Sequence, residues 1–273
     1  MKKFDGMLFC TDLDGTLLAK DKTISKENMD AMEYFKSEGG RFTFITGRVP
    51  QTSQGIYRAV RPNAPYGCVN GGGIYDPIAE TFLWKMILPR EALALVREVD
   101  RCLPEIGIQV NTEEHIYFNK DNATMAAFRK GTGVPNLTCH YEEVEEPILK
   151  VLFGHPQNEQ IEQLAALLQR YPDAARYDFI RSERTLYEIL PKGVSKGAAL
   201  LKMAELLGID ANKTIAIGDY NNDISMIRCA KLGIAVANAV DEAKAAADYI
   251  AVSHNESAIA HVVDLLDRGV LML

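Results

Sequence analysis

Three short apolar runs constrain this chain more than any other feature. Each is too brief for a helix, and each breaks off in a loop of small and polar residues. The first, Gly6-Met7-Leu8-Phe9-Cys10-Thr11, is cut off by Asp12-Leu13-Asp14-Gly15-Thr16. The second, Arg41-Phe42-Thr43-Phe44-Ile45, ends at Thr46-Gly47-Arg48, and the third, Gly67-Cys68-Val69, ends at Asn70-Gly71-Gly72-Gly73. A run without polar alternation has both faces covered, as strands of a parallel sheet do. Between the first two runs, Ser25 opens a helical stretch through Ser37, which Glu38-Gly39-Gly40 stops. Strand, helix, strand in this rhythm predicts a parallel sheet with crossover helices.

From about Phe82 the texture changes. Leu83–Leu88, Ile106–Gln109, His115–Phe118, Ile148–Phe153, Arg176–Ile180 and Thr185–Leu190 read as strands, with helices from Pro89, Asp121 and Glu159 among them. This mixed, partly antiparallel material ends at Pro191-Lys192-Gly193. The parallel rhythm then resumes: a helix from Ser195, a buried strand Lys213–Ile217 ending at Gly218-Asp219, and further strand–helix alternation to the C-terminus. The fold class expected is α/β, a doubly wound Rossmann-like core interrupted by an inserted α+β domain. The segments are 1–82 (core), 83–190 (insert) and 191–273 (core).

A net charge of −7 in 273 residues argues against a nucleic-acid binder held by phosphate contacts. It leaves room for a phosphorylated small molecule, because a metal and a lysine can reverse the field inside one pocket. The five cysteines include no C-x-x-C pair, and Cys10 and Cys68 sit inside apolar runs, so buried reduced thiols are expected. No leader pattern opens the sequence and no run is long enough to span a bilayer, so a cytoplasmic protein without membrane partners is expected. An enzyme of this size can work as a monomer or a weak homo-oligomer.

Ligands of open parallel sheets bind beyond the carboxyl ends of the strands. Those ends carry Asp12 and Asp14, then Thr46-Gly47-Arg48, then Asp219 with Asn221, Asn222 and Asp223; Lys196 opens the helix after the insert. Several carboxylates at one edge repel unless a cation joins them, and oxygen ligands suit Mg²⁺. Opposite a metal, a phosphate needs donors, which Thr46, the Gly47 N–H, Lys196 and Asn222 supply. Asp12 could then attack phosphorus while Asp14, two residues on, handles protons.

These four segments, taken in chain order with Lys196 before Asp219, and at these element ends, resemble the four motifs of the haloacid dehalogenase-like superfamily. The position of the insert, Asn70-Gly71-Gly72 and the run Glu188–Gly197 are similar to the Cof-type branch with a C2 (type IIB) cap. The resemblance covers essentially the whole chain, the cap least sharply. It implies Asp12 as nucleophile, Asp14 as acid and base, and Mg²⁺ held by the side chains of Asp12 and Asp219 and the backbone carbonyl of Asp14. It further implies phosphate binding by Thr46, Gly47, Lys196 and Asn222, with Asp223 and Arg48 in support. The activity implied is hydrolysis of small phosphate monoesters, sugar phosphates or related metabolites, through an aspartyl-phosphate. A phosphomutase and a non-catalytic metabolite-binding protein are the alternatives.

Each motif alone has a blander reading. Asp-Gly marks turns, Gly218-Asp219 could cap a helix, and a lone Lys196 would be a solvated helix residue. Gly71-Gly72-Gly73 lacks the Walker lysine and reads as a flexible turn near a hinge. The five histidines show no ligand spacing, Glu142–Glu146 reads as a solvated acidic loop, and His115, Tyr117, Asn119 and Arg181–Arg184 are candidates to face substrate.

Overall fold

The computed structural model describes residues 2–273. In chain order, the first segment holds β1 (Leu8–Thr11), α1 (Lys26–Ser37), β2 (Arg41–Phe44), α2 (Pro50–Val60), β3 (Tyr66–Cys68), β4 (Gly73–Asp76) and β5 (Thr81–Lys85). Then follow α3 (Leu93–Cys102), β6 (Gly107–Thr112), β7 (Ile116–Lys120), α4 (Ala123–Thr132), β8 (Ile148–Gly154), α5 (Asn158–Gln169), β9 (Tyr177–Glu183) and β10 (Leu186–Pro191). The last segment holds α6 (Lys196–Leu207), β11 (Thr214–Gly218), α7 (Ile224–Cys229), β12 (Leu232–Val236), α8 (Asp241–Ala246), β13 (Tyr249–Ala251) and α9 (Ala258–Asp267). Two compact units result: one of 1–48, 54–84 and 195–273, the other of 49–53 and 85–194.

The first unit is built on a parallel sheet of order β13-β12-β11-β1-β2. β1 lies between β2 and β11 with Leu8 opposite Arg41 and Thr214, so the strand order reverses there. That is the topological switch point, the position where doubly wound sheets open a crevice at their carboxyl edge. Leu8, Phe9 and Cys10 are fully buried, as a strand covered on both faces must be. α1 begins where its sequence says: the Ser25 side chain accepts the Asn28 N–H, and Asn28, Met32 and Phe35 form the buried stripe. The Asn28 carboxamide then accepts the Ala260 N–H of α9 at 3.0 Å, so a polar residue in that stripe is satisfied across the helix pair.

The third apolar run departs from expectation. β3 does not extend the parallel sheet; Gly67 makes one isolated parallel bridge to Ile45, just past the end of β2, and β3 pairs antiparallel with β4. The tight turn at Asn70–Gly72 reverses the chain after three residues, so a three-stranded meander of order β3-β4-β5 forms instead.

The second unit is built on a five-stranded sheet of order β7-β6-β8-β10-β9, with its four neighbouring strand pairs antiparallel. Ile108, Val110, Val151, Phe153 and Ile189 on one face join Leu95, Val96 and Val99 of α3 and Ile161, Leu164 and Leu168 of α5 in one apolar cluster. In the acidic run Glu142–Glu146, Glu142, Glu143 and Glu145 are exposed as expected, and Val144 and Glu146 depart from a solvated loop. Val144 is buried, and Glu146 accepts from Thr112 and Tyr117 and lies 2.8 Å from His115 Nδ1. Burial acts to raise the Glu146 carboxyl, and these three partners outweigh it and hold it below the usual range. The five cysteines are free, with Cys10 and Cys68 buried. Among the described residues no helix is long and apolar enough to cross a membrane.

Candidate active site

At the carboxyl edge of β1 and β11 the first unit concentrates its buried charge. Asp12 continues β1 by donating its N–H to the Ile217 carbonyl at 2.9 Å, and its side chain is buried. Lys196, the first residue of α6, is equally buried. Its Nζ donates to Asp12 Oδ1 and to Asp223 Oδ1, both at 2.5 Å. The reading of Lys196 as a solvated helix residue therefore fails. Asp223 Oδ2 accepts the N–H groups of Asp219 (2.9 Å) and Tyr220 (3.0 Å), which ties the loop after β11 into a closed turn. Asp219 receives the Thr16 hydroxyl at 2.9 Å. Gly15 sits at φ +90, and a Cβ there would stand 2.5 Å from Asp219 Oδ2. Only glycine lets the loop after β1 pass this close to the second carboxylate.

Carboxylate oxygens of Asp12, Asp219 and Asp223 lie within 4.8 Å of one another. Three carboxylates face one ammonium, an excess of two negative charges if all ionise. The environment registers that excess. Burial pushes Asp12 well up against the opposing pull of Lys196. Burial and the neighbouring Asp223 push Asp219 up to about 7. Lys196 is driven upward despite its burial, because two carboxylates hold its proton. This donor set fits a hard divalent cation, which would cancel the excess that protons otherwise must. Asp223 is committed to Lys196 and two backbone amides, so Asp12 and Asp219 are the side chains available to it.

Asp14 lies in the opposite environment. Arg48 grips its carboxylate with Nε (3.0 Å) and Nη2 (2.9 Å), and Lys22 adds a contact at 2.7 Å. Burial acts to raise this carboxyl, and Arg48 and Lys22 outweigh it, so it stays ionised below the usual range.

Thr46 leaves β2 by donating its N–H to the Gly67 carbonyl, and its Oγ1 accepts the Arg48 N–H at 3.2 Å, which leaves the hydroxyl proton to donate. Sequence reasoning missed one member of this group. Asn70 is fully buried at φ 54, next to Val69 at φ 56, a conformation that costs a β-branched residue dearly. Its N–H bonds the Thr46 carbonyl at 3.0 Å, its Oδ1 accepts from Asn222 at 2.9 Å, and a Cβ on Gly47 would lie 3.0 Å from that oxygen. Asn70–Gly73 is thus a packed turn bracing Gly47 and Asn222, not a flexible one. A Cβ on Gly71 would stand 2.1 Å from the Ser195 carbonyl, which fixes this turn against the start of α6. Asparagine tolerates the left-handed region and was the available signal.

A switch-point crevice with buried carboxylates, one lysine and a threonine–glycine loop defines a hydrolase of the haloacid dehalogenase type. The model of the haloacid dehalogenase-like hydrolase family matches residues 9–263, and the chain belongs to that family. It is 28% identical over 287 residues to a 5-amino-6-(5-phospho-D-ribitylamino)uracil phosphatase of Bacillus subtilis, covering 94% of this chain and 97% of that protein. Another phosphatase of Bacillus subtilis is 26% identical over 281 residues, covering 94% and 98%. The fold is also that of a subclass IIB sugar phosphatase, with TM-score 0.83 at 21% identity, covering 97% and 100% of the two chains.

Proposed function

We propose that this chain is a Mg²⁺-dependent phosphatase that hydrolyses small phosphate monoesters through an aspartyl-phosphate on Asp12. The observation that carries the proposal is the buried Lys196 shared by Asp12 and Asp223, with Asp219 beside them. It is a carboxylate-rich pocket whose surplus charge a divalent cation can cancel in place of protons. Asp12 and Asp219, with the Asp14 carbonyl, hold the metal, which when bound offsets the charge of the phosphoryl oxygens. Thr46, Gly47, Lys196 and Asn222 receive the remaining oxygens, and Asn70 keeps Gly47 and Asn222 in place.

Lys196 occupies Asp12 Oδ1, which leaves Oδ2 to attack. The Oδ2–P bond forms as the bond from phosphorus to the ester oxygen breaks, and Asp14 gives that oxygen its proton. Water then attacks phosphorus, Asp14 takes the water's proton, and the Oδ2–P bond breaks to release inorganic phosphate. Arg48 and Lys22 hold Asp14 in its ionised form, which is the form the second half needs. For the first half the carboxyl must leave them and take up a proton. The second unit serves as the cap, governing access and selectivity.

The test is phosphate release from a panel of phosphate monoesters, with Mg²⁺ and with chelator, by wild type and Asp12→Asn. Metal-dependent release that falls by at least about 10⁴-fold in the variant, with the fold kept, is the expected result. Release that survives the substitution sinks the covalent mechanism. Transfer of phosphate between positions of a substrate, without free phosphate, would point to a mutase.

A further inference from the structure

Within the first unit, one exposed side chain ties together the loops at the carboxyl edge of the sheet. In the parallel order β13-β12-β11-β1 the turns after these four strands stand side by side. Asn238, in the turn between β12 and α8, donates from Nδ2 to the Gly15 carbonyl at 2.8 Å. Its Oδ1 accepts the His254 N–H at 2.9 Å and the Ser253 hydroxyl at 3.3 Å, both from the turn after β13. Only this orientation of the amide serves, since Gly15 offers an acceptor and the His254 backbone a donor. Two residues on, the Val240 N–H donates to the Asp219 carbonyl at 2.9 Å. The turn after β12 therefore holds the loop after β1 and the loop after β11 at once.

Those two loops carry oxygens assigned above to the metal, and their spacing has little slack. The Thr16 hydroxyl donates to Asp219 Oδ1 at 2.9 Å, and a Cβ on Gly15 would stand 2.5 Å from Asp219 Oδ2. A loop this close to its neighbour keeps its place only if its backbone is held, and the carbonyl that Asn238 holds is one residue from that of Asp14. Stability does not account for the arrangement. Asn238 is exposed, and water could satisfy the same three groups at nearly the same free energy. What the side chain adds over water is fixed geometry, and a shift of about 1 Å at a reacting group can cost on the order of 10²-fold in rate.

We propose that Asn238 is a positioning residue for phosphoryl transfer, setting the separation of the loops after β1 and β11 and with it the places of Asp14 and the metal. The inference rests on the phosphatase reading above and adds a residue outside its four motifs. Asn238 acts through the Gly15 carbonyl. Its hydrogen bonds go to Gly15, Ser253 and His254, and to none of the residues assigned to phosphate.

The experiment compares two variants with wild type. Asn238→Ala loses all three bonds. Asn238→Asp keeps the bonds from His254 and Ser253 and sets a carboxylate oxygen against the Gly15 carbonyl. In calorimetric titration with magnesium chloride alone, Asn238→Ala should bind about fivefold to tenfold more weakly than wild type. At saturating Mg²⁺, with the best ester of the panel above, kcat should fall by about tenfold or more in both variants while KM stays within about twofold. Melting temperature should not follow activity: Asn238→Asp, which keeps two bonds, should melt above Asn238→Ala and lose at least as much kcat. Unchanged Mg²⁺ affinity or unchanged kcat in Asn238→Ala overturns the inference, whatever its melting temperature. So does a loss confined to KM. Should Asn238→Ala not fold, a wild-type kcat in Asn238→Asp overturns it. A wild type that binds Mg²⁺ and releases phosphate from no ester removes the phosphatase reading alone, and the metal titration then decides the inference. A wild type that binds no Mg²⁺ removes both.

Discussion

Each unit buries a lysine on or beside a central strand, and the two lysines have different company. Lys150 is ion-paired with Glu188 at 2.8 Å. Lys196 faces Asp12 and Asp223, with Asp219 within reach of both. The balanced pair needs nothing further to be neutral. The unbalanced cluster keeps two surplus charges that protons or a divalent cation must cancel. Buried ion pairs are poor stability devices, because desolvation consumes most of the Coulombic gain. Balance therefore separates a matched buried pair from a cluster poised for chemistry.

The sharpest way to break this comparison is to make the same carboxylate-to-amide change in both places. Glu188→Gln removes the carboxylate charge that Lys150 Nζ bonds at 2.8 Å and should cost about 3–5 kcal/mol, read as a lower melting temperature of the second unit. Asp12→Asn removes one surplus charge and leaves Lys196 its bond to Asp223, so the chelated protein should melt higher, by roughly 2–4 °C. Changes of the same sign in both variants would show that charge balance is not what distinguishes the regions.

A smaller effect sharpens the cluster half. The folded carboxyl of Asp219 titrates near 7, above its ordinary value of 3.8. The native state therefore binds more protons than the unfolded chain between those pH values, and the chelated protein loses stability as pH rises through that window. Below pH 7 Mg²⁺ must displace that proton, so its affinity should weaken by roughly tenfold per pH unit. The melting-temperature rise produced by Mg²⁺ should be larger at pH 8 than at pH 6. A rise independent of pH would remove Asp219 from the metal's ligands.

The smallest expected change concerns the turn at Asn70. Asn70→Gly keeps the left-handed backbone and loses the bond to Asn222, so kcat/KM should fall by about tenfold with the fold intact. Asn70→Ala adds backbone strain and should fall further. Equal behaviour of the two would mean that the side chain, not the backbone, carries the role.

Much of the first unit was legible because its signals are local. An uninterrupted apolar run of four to six residues has one use in a crossover sheet, and Ser25 and Gly208 mark helix ends through atoms within a turn of themselves. α2 escaped notice because its first turns, Pro50 to Gly55, carry no apolar residue and include threonine, serine and glycine; Ile56, Tyr57 and Val60 follow only in its last turns. The grouping of Val49–Ser53 with the second unit left no trace in composition. Nor did the grip of Arg48 and Lys22 on Asp14, or the bond of Thr112 to Glu146, since each depends on partners 8 to 34 residues away.

By itself, the sequence determined the parallel α/β core, the insertion between Arg48 and Lys196, and which carboxylates, threonine and lysine stand at strand and helix ends. Those follow from periodicity and capping, which act over a few residues. Only the tertiary structure decided how charge and hydrogen bonds are shared. It set Asp12 and Asp14, two residues apart, in a carboxylate-rich pocket and a cation-rich one. It turned Asn70 into a brace and set Asn238 against the Gly15 carbonyl. Electrostatics and hydrogen-bond satisfaction are set by neighbours in space, and the fold alone brings those neighbours together.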